Sequence, residues 1–224
     1  LMYEADFVDG NGVDKTFHKN GQLRYECNVS QGKRNGPCKG WYVSGNLKYE
    51  RSYKDGKRHG VCKGWFENEQ LSYEWLYKEG KRNGISKGWH RNGNISYQWN
   101  FKDEKRDGVF RGWHENANAS YERNYKYGVK SGSDKTWYPD KKPKHESNFK
   151  DGKMHGEGSI IYPNGDIYEG EWIAGRREGK GVITYYWSGG TYSGEWKNNK
   201  MHGKGIFTWS DGKVIEGTWS EGAY

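Results

Sequence analysis

Apolar and polar residues alternate in short runs along this chain. Leu47, Tyr49, Arg51 and Tyr53 fall on one side of an extended segment, and Lys48, Glu50 and Ser52 on the other. The next segments repeat the pattern: Leu71, Tyr73, Trp75 and Tyr77 against Ser72 and Glu74, then Ile95, Tyr97, Trp99 and Phe101 against Ser96, Gln98 and Asn100. A period of two marks a half-buried antiparallel strand, with one face packed and the other wet. No segment sustains a helical period. Between the runs stand Asn20-Gly21, Asp55-Gly56, Asn92-Gly93, Asp151-Gly152, Asn164-Gly165 and Asp211-Gly212. Glycine accepts a positive φ without a Cβ clash, so these pairs predict tight hairpins.

The elements recur at a fixed interval. Gly12, Gly36, Gly60, Gly84, Gly108, Gly132 and Gly156 are spaced by 24 residues, and the series continues through Gly179 and Gly203. Phe17, Trp41, Trp65, Trp89, Trp113 and Trp137 follow the same period, as do Tyr25, Tyr49, Tyr73, Tyr97 and Tyr121. A fixed period means one supersecondary unit stacked on its copies. The second copy predicts a strand over 39–43, a turn over 44–46, a strand over 47–53 and a longer Gly-rich turn over 54–60. Two strands per copy at about 4.8 Å spacing advance a sheet by roughly 9–10 Å. Nine copies predict an all-β fold: an elongated, single-layer, twisted antiparallel sheet of serial β-hairpins, an open rod of about 85 Å with an aromatic groove.

Composition agrees. Only 32% of the 224 residues are hydrophobic, 17% are Phe, Trp or Tyr, and mean hydropathy is −1.25. That is too little apolar material for a thick core and too much aromatic material for disorder. Rings of about 150–250 Å² each, stacked in rows, would fill a thin sheet instead. No run reaches the roughly 18–20 apolar residues of a membrane helix, and no signal-peptide pattern is present. Leu1 is not an initiating Met, so any upstream targeting signal would lie outside this sequence. The three cysteines, Cys27, Cys38 and Cys62, lack metal-site spacing. Three are too few for a disulfide framework, which favours a reducing compartment, and Cys38 and Cys62 hold equivalent places one repeat apart, too far for a disulfide, which predicts free thiols.

These motifs resemble MORN repeats. Segments 162–172, 185–196 and 209–219 (YPNGDIYEGEW, YYWSGGTYSGEW and WSDGKVIEGTW) are similar to the standard form, with Ile215 at the usual Tyr place. The earlier copies, with GW–YVSGNLKYE–GKRHG-like units, resemble the MORN variant seen in antitoxin-like bacterial proteins. The resemblance implies one continuous array: six basic variant repeats over 1–155, then three standard, near-neutral repeats over 156–224. It also implies a scaffold or recognition role and no enzymatic activity.

Charge sharpens this division. The segment 153–224 holds 8 Lys and Arg against 9 Asp and Glu, while the rest holds 29 against 20, so the net +8 belongs to the variant block. There Lys33-Arg34, Lys57-Arg58, Lys81-Arg82 and Lys105-Arg106 form a basic ladder, partly balanced by Glu26, Glu50, Glu74 and Glu122 on the wet face. Such a stripe offers an anionic surface a place to bind. The histidines are serial: His59, His155 and His202 in one turn, and His18, His90 and His114 after the Trp row. Serial placement is structural rather than catalytic, and no metal, nucleotide or nucleophile motif appears, so no cofactor and no catalytic residue is expected. The aromatic face, Tyr49, Tyr73, Trp75, Tyr97, Trp99 and Tyr121, is most apolar near Trp75 and Trp99. It reads as a groove for a protein partner: a peptide, a helix or a toxin. Neutralising a toxin as an immunity-type protein, and peripheral binding of acidic phospholipid, are the alternatives. Nucleic acid is disfavoured, homodimers through an edge or the groove remain open, and the expected location is the cytoplasm, with membrane-peripheral association open.

Overall fold

The computed structural model describes residues 3–224. The chain divides into two compact units, Leu1–Ser120 and Tyr121–Tyr224. Within each unit, consecutive strands pair antiparallel and run on as a meander of hairpins, an unclosed, twisted sheet with aromatic clusters on one face.

Two turn types alternate. The first is a two-residue turn with both residues at positive φ, as at Asp55-Gly56 (51° and 79°) and Asp151-Gly152 (51° and 78°). This backbone matches strand twist and selects Gly at the second place. The second is a longer turn with one positive φ. At Tyr42, the N–H donates to Asn46 O and the carbonyl accepts from Gly45 N–H. The first type also ties repeats together: Gly56 N–H donates to Arg34 O, Gly80 to Arg58 O, Gly152 to Lys130 O and Gly175 to Met154 O. Each of these four turn tips is thus bonded to the repeat before it.

The strands are longer than the sequence pattern predicts. The stretch 54–60 is not an extended turn. Only its tip turns, and strand resumes at Lys57–Arg58 and Gly60–Trp65; in the preceding copy one strand runs unbroken over Lys33–Trp41. Gly36 and Gly60, at φ 89° and 83°, are irregularities inside the ladder rather than loop residues. The basic pairs therefore sit on strand starts, Lys57 opposite Lys54 and Arg58 opposite Tyr53.

The two faces separate cleanly in the first unit. One row of the outer face alternates in charge across consecutive strands: Glu26, Lys39, Glu50, Lys63, Glu74 and Lys87 are each register partners of the next. Lys63 Nζ reaches Glu74 at 3.1 Å and Lys39 reaches Glu50 at 3.7 Å. On the inner face, Cys38, Cys62, Ser86 and Phe110 are buried under the aromatic rows.

In the second unit the core is a zigzag of rings. Trp172, Tyr168, Trp196, Tyr192 and Trp219 meet edge to face at 5.1–5.3 Å. The indole N–H groups of Trp172, Trp196 and Trp219 donate to the carbonyls of Gly158, Gly181 and Gly205. Glycines 158, 170, 181, 194, 205 and 217 lie side by side across this sheet, and the Tyr168 and Tyr192 rings lie flat on Gly181 and Gly205. Ile215 cannot fill the next seat, and Tyr224 folds back over Gly217, its ring 5.4 Å from Trp219.

The expectation of free thiols fails for two cysteines. Cys27 and Cys38 are direct register partners on neighbouring strands and form a disulfide, while Cys62 is free and buried. Repeat equivalence drew attention to Cys38 and Cys62, two strands apart. The relevant pair lies across one hairpin, where side chains directly opposite each other meet. With a disulfide present, the low cysteine count no longer favours a reducing compartment.

Candidate protein-binding groove

The predicted aromatic residues form a layered row. In the first unit the rings of Tyr49, Tyr73 and Tyr97 lie on Gly40, Gly64 and Gly88, each a register partner. A Cβ on any of these glycines would fall inside the ring above it. The residue two positions later then stacks on the tyrosine. Arg51 Cζ stands 3.9 Å from the Tyr49 ring centre. Tyr73 and Trp75 stack at 4.2 Å, and Tyr97 and Trp99 at 4.0 Å. Trp75 Nε1 donates to Tyr97 Oη at 2.9 Å, linking one pair to the next, and Trp99 continues onto Phe110 at 5.9 Å. Tyr73, Trp75, Tyr97 and Trp99 are all half-buried, with part of each ring open to solvent. Tyr121 lies in the second unit, where Arg123 covers its ring at 4.6 Å. Arg123 is itself held by the buried carboxylate of Asp134 at 3.2 Å.

The basic ladder splits into two kinds of residue. Lys33, Lys57, Lys81 and Lys105 are exposed. The arginines are drawn onto rings: Arg34 over Tyr53 at 5.6 Å, Arg58 over Tyr77 at 5.2 Å, Arg82 over Phe101 at 4.0 Å and Arg106 over Phe110 at 5.7 Å. Arg58 also donates to Tyr77 Oη at 3.0 Å, and Arg82 is paired with Glu104 at 3.2 Å. Burial acts to raise the Tyr53 phenol, but the Arg58 hydrogen bond and nearby guanidinium charges outweigh it and leave that phenol below its usual value. The arginines therefore extend the aromatic layer.

Two of the serial histidines tie neighbouring repeats together. His18 and His90 each bond, through Nε2, the carbonyl of the Trp one repeat later, Trp41 and Trp113, at 3.1 and 2.9 Å. Tyr42 does the same to Trp65 O at 2.8 Å. Among the described residues, no group of three His, Cys, Asp or Glu side chains is placed to hold a metal ion.

Sequence reasoning missed two features of the second unit. A cleft of about 620 Å³ is lined by Tyr162, Ile183, Tyr185, Trp196 and Met201, with Arg177 in it. In the adjoining turn Trp187 is 83% exposed and meets Tyr186 edge to face at 5.4 Å. The only sequence trace of the cleft is that Arg177 stands where the flanking copies carry Met154 and Met201.

Fold and site define an all-β repeat scaffold with aromatic clusters at its surface. The MORN repeat family matches residues 145–167, 168–190 and 192–214. The MORN repeat variant matches residues 11–31, 34–55, 58–79 and 82–103. Together they cover well over half of the chain, which belongs to the MORN-repeat proteins. No curated protein sequence matches it with significance.

Proposed function

We propose that this scaffold binds a protein partner along the inner face of the variant repeats in its first unit, with Trp75 and Trp99 as anchors and Tyr49, Tyr73 and Tyr97 as the surrounding contacts. The observation that carries this reading is the pair of stacked Tyr–Trp layers, rigid and half open, joined by the Trp75–Tyr97 hydrogen bond. Aromatic groups held in place by stacking and only half-buried lose little entropy on binding and dominate interface energetics. We read two further variant copies over 108–155, giving six variant and three standard repeats with the change at 155/156, inside the first standard match at 145–167. Variant and standard blocks then meet different surfaces, since the positive charge is concentrated in the first. A toxin as sole partner, in an immunity-type role, is a narrower form of the same reading.

Crosslinking of a captured partner tests it. Trp75→Ala with Trp99→Ala should abolish capture while the melting transition of the chain survives. A partner held equally well by the double variant overturns the reading.

A second reading, binding of acidic phospholipid, draws on a hollow of about 460 Å³ at the start of the array. Arg24, Arg34 and Lys48 line it beside Tyr25, Trp41 and Tyr49. Vesicles containing phosphatidylserine should then bind and be released by salt. Equal binding to neutral vesicles would exclude it.

A further inference from the structure

The cleft in the second unit differs from its surroundings in one residue. The row Met154, Arg177, Met201 occupies equivalent strand positions, opposite Phe149, Trp172 and Trp196. Arg177 therefore brings a cation to a place where the neighbouring copies present a thioether. Its guanidinium carbon stands 4.2 Å over Trp196, 5.4 Å over Tyr168 and 6.0 Å over Tyr162. Nη2 donates to the carbonyl of Asn199, and Nε is shut off from solvent with no hydrogen-bond partner. A carbonyl does not neutralise the charge. The other ionic groups lining the cleft are engaged elsewhere. The Asp166 carboxylate accepts from Tyr186 N–H at 2.9 Å and from Asn164 Nδ2 at 2.8 Å, and Lys200 is paired with Glu221 at 2.7 Å. Neither donor to Asp166 is charged, so that carboxylate is fixed in its turn but keeps its own charge, and Arg177 is the cation of the cleft without a carboxylate partner among the described residues.

The geometry points to a second docking site, for a partner peptide segment in which a carboxylate side chain adjoins an aromatic one. A planar guanidinium suits a planar carboxylate, and its position against rings strengthens the attraction by excluding water. The walls, Tyr162, Tyr185, Ile183 and Trp196, accept the flat apolar group beside that carboxylate. The volume falls within the ~300–1,000 Å³ of pockets that enclose ligands of short-peptide size. One guanidinium compensates one carboxylate, whereas a phosphomonoester carries close to two charges. This site shares no residue with the groove of the variant repeats and stands or falls independently of it.

The test uses two short peptides, acetylated and amidated at their ends, with the sequences Phe-Glu-Phe and Phe-Gln-Phe. The Glu peptide should bind the whole chain at least tenfold more tightly than the Gln peptide and shift the Arg177 Nε–Hε resonance. Arg177→Met, which restores the residue of the flanking copies, should erase that preference with an unchanged melting transition. Arg177→Lys keeps the charge without the planar fork and should retain only part of the preference. It carries the test if Arg177→Met fails to fold. Equal affinity for the two peptides, an unmoved Arg177 resonance, or a preference that survives Arg177→Met or is undiminished in Arg177→Lys would each overturn the proposal.

Discussion

At the scale of single residues, the scaffold depends on close approaches that only glycine allows. Gly88 lies under the Tyr97 ring, which is stacked on Trp99 and accepts a hydrogen bond from Trp75. The ring cannot swing aside to admit a methyl group. Gly88→Ala should therefore lower stability by about 1–3 kcal/mol, read from the urea midpoint. Titration gives a second prediction. Burial depresses the His145 imidazole below its usual value; Asp134 opposes this, while Lys130 and Arg123 add to it. The ring nitrogens are bonded to Ser147 Oγ at 3.0 Å and Ser159 Oγ at 3.3 Å. A histidine with a depressed folded-state pKa takes up its proton first in the unfolded chain. Its contribution is therefore neutral above about pH 6.5 and becomes unfavourable as pH falls through that value. The loss stops growing below the folded-state pKa. The melting temperature of the wild-type chain should fall between pH 7.5 and 5, and His145→Gln should flatten that slope. An identical slope in the variant would remove His145 as its source.

At the scale of strands and hairpins, register is written on the outer face. Lys63 has Glu50 on one neighbouring strand and Glu74 on the other. Lys63→Glu would set three carboxylates side by side. The expected cost is about 1 kcal/mol at low salt, shrinking toward zero in 1 M salt because these side chains are exposed. A cost that salt leaves unchanged would point to packing instead. Strand pairing was legible in the sequence because alternation, Asn-Gly and Asp-Gly turns and a 24-residue period all agree. The starts of the strands were not. Lys54 to Gly60 carries Asp, two Gly and four basic residues, a loop composition, yet a two-residue turn absorbs its tip and a positive-φ glycine lets strand resume.

At the scale of the whole chain, what could be read in advance was what repeats. The tyrosine row, the turn glycines from Gly12 to Gly203, the Trp positions and the serial histidines were visible as columns of the period, whereas the glycine seats Gly40, Gly64 and Gly88 were not singled out. What escaped was whatever breaks the period. Arg177 replaces Met in one copy, and the cleft around it arises from residues 162 to 222 brought together by packing. The disulfide joins Cys27 to Cys38, places that are not equivalent and are opposed only through register. The alternating outer row carries one more consequence, for how such an array can change length. Along Glu26, Lys39, Glu50, Lys63, Glu74 and Lys87, sign follows strand parity. Adding or deleting one strand would bring like charges together at the join and invert the inner and outer sides of everything beyond it. Adding or deleting two leaves every neighbour correctly matched. The row thus works as a parity check, and the chain can lengthen or shorten only in steps of a whole hairpin.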